Sequence, residues 1–121
     1  MEQIKVEVKK FLDERDWNSQ VPSDVSKSIS IESAELLEKF QWENHSVKEI
    51  NENKELRDEI VSELADVFIY SAQMALILDC DINKIVIEKL NKQRIKYPAE
   101  AVKGEYGSKK YLEIKKKHRQ L

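Results

Sequence analysis

Apolar residues recur every three or four positions along most of the chain, the period of an α-helix and not the alternation of a strand. Ile4, Val8, Phe11 and Leu12 share one side of a first helix, from Glu2 to about Arg15. Asn18, Ser19 and Pro22 mark a break, after which Ser23 or Asp24 is placed to cap a second helix reaching Trp42, with Val25, Ile29, Leu36 and Phe40 inward. Ser46-Val47-Lys48-Glu49 has capping-box spacing and predicts a short helical turn in the polar stretch 44–54. The third long helix runs from about Lys54 to Leu78, its inner stripe being Leu56, Ile60, Leu64, Val67, Ser71, Met74 and Leu78. Asp79-Cys80-Asp81 forms a joint, with Asp81 a cap for a fourth helix that turns Ile82, Ile85, Val86 and Leu90 inward and stops before Pro98. A last helix is expected around Tyr111 to Lys117. The pattern predicts an all-α fold, a bundle of four to five helices, as one domain over residues 1–121 with a basic tail at 103–121.

Composition narrows the class. Charged residues make up 36% of 121 residues, with two glycines and two prolines, too few turn formers for a strand-rich fold. The single cysteine, Cys80, cannot form an internal disulfide and fits a reducing compartment. The charged start, Met1 to Lys10, does not resemble a leader, and no apolar run is expected to reach the roughly 20 residues of a membrane span. These features point to a cytoplasmic protein with no membrane contact. The net charge of −2 is uneven, −7 over residues 1–102 and +5 over residues 103–121. A basic tail fits an anionic partner or a solvated terminal helix, while the overall balance argues against a stable nucleic-acid partner.

The second helix carries an anomaly: Glu32 occupies the apolar stripe between Ile29 and Leu36, with Glu35 three residues on. The third repeats it, since Glu63 lies beside the stripe and Asp66 follows three residues later. Side chains at i and i+3 lie about 60° apart on a helix, so each pair repels itself mildly. Packing the two helices together brings four carboxylates to the edge of a core. Three arrangements tolerate this: protonation of some carboxyls, a salt-bridge network, or a divalent cation. An all-oxygen set favours magnesium, with manganese a possible substitute. A di-iron bundle needs Glu-x-x-His on its helices, and His45 and His118 fall elsewhere. Glu38 continues the spacing from Glu35; it fits a residue orienting a water or acting as general base, or a surface acid paired with Lys39 or Arg57.

Four segments occur in one order: Glu14–Trp17 (ERDW), Ile31–Trp42 (IESAELLEKFQW), Glu63–Tyr70 (ELADVFIY) and Glu88–Pro98 (EKLNKQRIKYP). Together they resemble the MazG-like nucleotide pyrophosphohydrolases of the all-α NTP pyrophosphatase superfamily, within which they look most like the short dCTP pyrophosphatase branch. The resemblance implies that Glu32, Glu35, Glu63 and Asp66 bind magnesium, with Glu35 and Glu38 as the catalytic acids. It implies hydrolysis of a nucleoside triphosphate, a dNTP of dCTP-like kind, to monophosphate and pyrophosphate. The chain has no glycine-rich phosphate cradle, so cations and basic side chains must take that role. Lys89, Gln93 and Lys96 form a polar stripe for phosphates, with Gln93 and Lys96 standing where the family looks like asparagine and arginine. Lys109, in the family-like segment Gly107–Tyr111, joins them. Trp17, Trp42 and Tyr70 match aromatic positions that enclose the base, and Tyr97 belongs to the same group. The branch's histidine before the loop proline is absent: the loop reads WNSQVP, with Val21 in that neighbourhood.

The third helix is apolar nearly all round, with Val61, Phe68, Ile69, Ala72, Ala75 and Leu76 off its inner stripe, which predicts a homo-oligomer, dimer or tetramer. Two classes of function fit the sequence: the metal-dependent enzyme, and a non-catalytic helical module that binds nucleotide or a partner.

Overall fold

A computed structural model describes residues 2–104 and 109–119, and every regular element among them is helical. The order is α1 (Glu2–Arg15), α2 (Pro22–Glu38), α3 (Val47–Glu52), α4 (Lys54–Ile77), α5 (Ile82–Lys96), α6 (Ala99–Val102) and α7 (Lys109–Arg119). The all-α expectation holds. The short α6 is additional, and Gly107 and Ser108 lie outside the described residues.

Two helix ends share one device. At Asp16 (φ 55°) and Asp79 (φ 48°) the chain turns left-handed, a conformation aspartate tolerates better than most non-glycine residues. After each, an N–H reaches back five residues: Trp17 to the Leu12 carbonyl at 3.0 Å, and Cys80 to the Ala75 carbonyl at 3.0 Å. These are Schellman-type endings, which stop α1 and α4 sharply and aim the next residue back toward the helix.

The second helix differs from expectation at both ends. It starts at Pro22 with Val21 as N-cap and no side-chain cap, because a first-turn proline has φ already set and no N–H to satisfy. It ends at Glu38, not Trp42. There the N–H groups of Lys39, Phe40 and Gln41 bond carbonyls three residues back at 3.2, 2.9 and 3.2 Å, tightening the turn and taking Phe40 and Trp42 off the helix. Ser46 caps α3 by accepting from Glu49 N–H at 3.1 Å, as its spacing predicts. Asn53 ends α3 and caps α4, accepting from Leu56 N–H at 3.1 Å.

The chain divides into two compact units, Met1–Ile82 and Asn83–Leu121. In the first, α1, α2 and α3 all pack on α4. Its core joins Val8 and Leu12 of α1 to Ala72 and Ala75 of α4 and to Ile82, with Leu76 and Cys80 packed against it. The Lys5 ammonium donates to the Cys80 carbonyl at 2.8 Å and ties the joint to α1. The deeply buried face of α4 is therefore Ala72, Gln73 and Ala75, displaced from the expected stripe, on which Leu64 is 41% and Leu78 61% exposed. Ile85, Val86 and Leu90 of α5, expected inward, are also exposed. In the second unit the Tyr97 and Tyr111 rings stack at 4.9 Å, joining α7 to the end of α5.

One sequence expectation needs correction. By length and composition α4 is apolar enough to cross a membrane, with a mean hydropathy of 1.5 over an 18-residue window. Acids spaced along it do not break this average, because Glu63 and Asp66 are few among Val, Leu, Ile, Phe and Ala. Helices α1, α2 and α3 pack against this same helix.

Candidate metal centre and aromatic-walled cavity

The packing of α2 on α4 brings the two acid pairs together. Glu32, Glu35, Glu63 and Asp66 each offer a carboxylate oxygen within 4.8 Å of the others, and all four side chains are half-buried. Glu35 is held above the ordinary carboxylate range, first by its hydrogen bond with Glu32 and then by the charge of Glu32. Glu63 is also raised, chiefly by burial and secondly by the charge of Glu35. Oε2 of Glu32 and Oε2 of Glu63 are sealed from solvent with no hydrogen-bond partner.

Of the arrangements that tolerate clustered acids, the salt-bridge network is the one these contacts exclude. A salt-bridge network is not built: Lys39, the cation that eases Glu63, makes its ion pair with Glu59 at 3.5 Å. Among the described residues no ion pair includes any of the four acids. Burying an unpaired carboxylate oxygen is costly, and a divalent cation satisfies several at once. The donor set is hard oxygen only and fits a magnesium-like ion.

The remaining sequence candidates separate into three places. Glu38 is exposed, as its surface reading expects, and lines a shallow hollow with Lys39, Trp42, Glu43 and His45, where Lys39 pairs with Glu59. Trp42, 86% exposed, belongs to this hollow. Trp17 and Tyr70 instead meet in a cavity of about 520 Å³ between α1 and α4, with Ile4, Phe11 and Ile69 among its walls. The Schellman turn at Asp16 sets Trp17 there, its ring edge-on to Phe11 at 5.9 Å, while the Arg15 guanidinium covers Phe11 at 4.0 Å. The third group lies in the second unit. Gln93 and Tyr97 line one hollow there, the Lys96 ammonium sits 5.1 Å from the centre of the Tyr97 ring, and Lys89 and Lys109 are exposed on α5 and α7.

The cavity also holds two residues that the sequence pattern did not single out, Gln20 and Gln73. The available signal was a glutamine one place from the Ala72–Ala75 face, in a run otherwise made of small and apolar side chains.

Fold and site together define an all-α protein with an interhelical carboxylate cluster and an aromatic-walled cavity. A model of the MazG-like family matches residues 27–114. Over 97 residues the chain is 32% identical to dCTP pyrophosphatase 1 of Rattus norvegicus, covering 78% of this chain and 56% of that protein. The Homo sapiens dCTP pyrophosphatase 1 is 30% identical over 106 residues, 86% of this chain and 61% of that one. The chain thus spans little more than half the length of these curated relatives. The crystal structure of a pyrophosphatase from Archaeoglobus fulgidus superposes with a TM-score of 0.71 at 35% identity, covering 81% of this chain and 92% of that one. The chain belongs to the MazG-like family, as its ordered motifs implied.

Proposed function

We propose that this protein hydrolyses nucleoside triphosphates, dCTP-like deoxynucleotides foremost, to the monophosphate and pyrophosphate. The observation that carries the reading is the pair of sealed, unpartnered oxygens on Glu32 and Glu63 within the four-acid cluster. Similarity to dCTP pyrophosphatases and to a pyrophosphatase of known structure supports the reaction class.

In this reading Glu32, Glu35, Glu63 and Asp66 hold magnesium, or manganese in its place. Held there, the ion would supply charge neutralisation for the phosphates and favour ionisation of the attacking water. The helices supply position: each acid pair is fixed at one i, i+3 spacing, so the four oxygens converge without rearrangement. Glu35 and Glu38 are the residues assigned to orient and deprotonate the attacking water, Glu38 lying one turn beyond Glu35 at the open end of α2. Lys89, Gln93, Lys96 and Lys109 are assigned to the phosphates. Trp17 and Tyr70 take the base between flat apolar walls, while Trp42 and Tyr97, outside that lining, are assigned to it through the resemblance alone.

Residues 1–121 act as one domain, working in the cytoplasm on free nucleotides without a stable nucleic-acid partner, and as a homo-oligomer. Along a single stripe of α4, Ala72 and Ala75 are covered, whereas Val61, Leu64 and Phe68 are 45%, 41% and 46% exposed. A second copy of the chain covering that half supports the oligomeric reading. A stable monomer in sedimentation at micromolar concentration overturns it.

The activity is tested by pyrophosphate release from a panel of dNTPs with magnesium, and by its loss in Glu63→Gln and Asp66→Asn. Nucleotide binding without release in the wild type leaves the non-catalytic module as the function.

A further inference from the structure

Gln73 is 5% exposed, as buried as its neighbours Ala72 and Ala75. A carboxamide at such a position costs stability unless its hydrogen-bonding groups are met. Gln73 Nε2 donates to Gln20 Oε1 at 2.7 Å, a bond spanning 53 residues between the loop after Trp17 and the middle of α4. A methionine of similar volume would fill the same space without any such requirement. The amide pair is therefore a feature in need of a use, and both members line the cavity of Trp17 and Tyr70.

The pairing also orients the amide. Nε2 of Gln73 is the end turned to Gln20, which leaves Oε1 as its other polar end, and reversing the amide needs Gln20 to turn over with it. Oε1 of Gln73 is not the atom engaged by Gln20. A fixed acceptor in an aromatic-walled cavity is complementary to an amino group on a flat ring. Stacking alone is tolerant of base identity, so the aromatic walls provide affinity and the amide provides choice.

Position along α4 fits this use. Glu63, Asp66, Tyr70 and Gln73 fall within about 80° of arc on one side of the helix, and Gln73 lies about 10 Å along the axis from Asp66. A nucleotide laid along that stripe has its phosphates at the acids and its base at the amide.

We propose that Gln73, oriented by Gln20, is the specificity-determining residue of this cavity, its carboxamide oxygen selecting nucleobases that bear an amino group over their oxo counterparts. The proposal rests on the nucleotide-binding reading but not on hydrolysis, and its test is a binding measurement without metal. Calorimetry compares dCMP with dUMP and dAMP with dIMP, pairs that differ by an amino-to-oxo exchange at one edge. In the wild type the amino member of each pair binds about tenfold tighter or more. Gln73→Met reduces that ratio to within about threefold while both members still bind, because stacking on Trp17 remains. Gln20→Met, a substitution at an exposed loop residue that takes away the partner of the Gln73 amide, lowers the ratio part of the way. Equal wild-type binding of amino and oxo partners, no binding of any of them, or an equal loss for both members in Gln73→Met overturns the proposal. A protein that releases no pyrophosphate yet shows the ratio and its loss overturns the enzymatic reading alone.

Discussion

The two ends of one stripe on α4 handle buried polarity in opposite ways. At Glu63 and Asp66 the protein crowds like charges and leaves two oxygens of the cluster without a partner. About two to three turns further on, at Gln73, it buries a neutral amide and supplies a partner from 53 residues away. An unmet oxygen set is stable only when something outside the chain completes it, whereas a met amide is already shaped before anything arrives. The first end is compatible with completion by an ion, and the second is the one proposed to discriminate among ligands.

The strongest way to break this contrast is to neutralise the first end. Glu63→Gln and Asp66→Asn each lower kcat/KM for dNTP hydrolysis by about 10²–10³-fold or more, since charge stabilisation at the reacting phosphate is the larger part of catalysis of this kind. In the metal-free protein Glu63→Gln raises the melting temperature, because it removes a charge that burial and Glu35 both oppose. Lower activity with lower metal-free stability would mark Glu63 as a packing residue.

Next comes the separation of the aromatic residues that the motifs grouped together. Trp17→Ala raises KM about 10-fold to 100-fold, the loss of one base stack, with kcat changed much less. Trp42→Ala has a smaller effect, because that ring lies on the surface hollow beside Glu38 and not in the cavity. Steady-state kinetics on both variants checks the order, and a reversed order would place the base at the α2 end of the molecule.

That distinction explains what was legible in the sequence. The acid cluster was readable because i, i+3 spacing is a local rule and α2 and α4 each carry a complete pair. Trp17 and Trp42 looked equivalent because motif order carries no information about which face a loop residue meets. Trp17 follows a Schellman turn that returns it to α1, whereas Trp42 follows three tightened turns that carry it away from α2. Gln73 was missed for a related reason: its partner is in a loop far along the chain, and periodicity along α4 alone marks it as an irregular residue beside a core face.

Proton concentration sharpens the contrast without any mutation. Glu35 and Glu63 have carboxyls raised above the ordinary value of 4.5. A raised folded-state pKa contributes stability that is present below the unfolded value and disappears as pH climbs through the folded one. The metal-free protein therefore loses stability as pH climbs above about 4.5 and Glu35 and Glu63 take on their charges. Magnesium flattens that fall, because it stabilises the ionised form. Melting curves at several pH values, with magnesium and with a chelator, check this; parallel curves would remove the ion from the cluster.

The smallest expected effect belongs to neither end and serves as the control for both. Asn53 caps the start of α4 by accepting from Leu56 N–H at 3.1 Å, ten residues before Glu63. Asn53→Ala removes that bond and costs about 1 kcal/mol of stability, a shift of a few degrees in melting temperature. Fraying at a cap falls off within the first turn, and Glu63 is more than two turns inside the helix. Metal affinity and the base-binding ratio therefore stay at wild-type values in Asn53→Ala while melting temperature falls. A change in metal affinity would mean that the acid cluster is held by the helix terminus and not by the packing of α2 on α4. A change in the base ratio would mean that the whole stripe moves as one body, and the division of α4 into an unfinished end and a finished end would not hold.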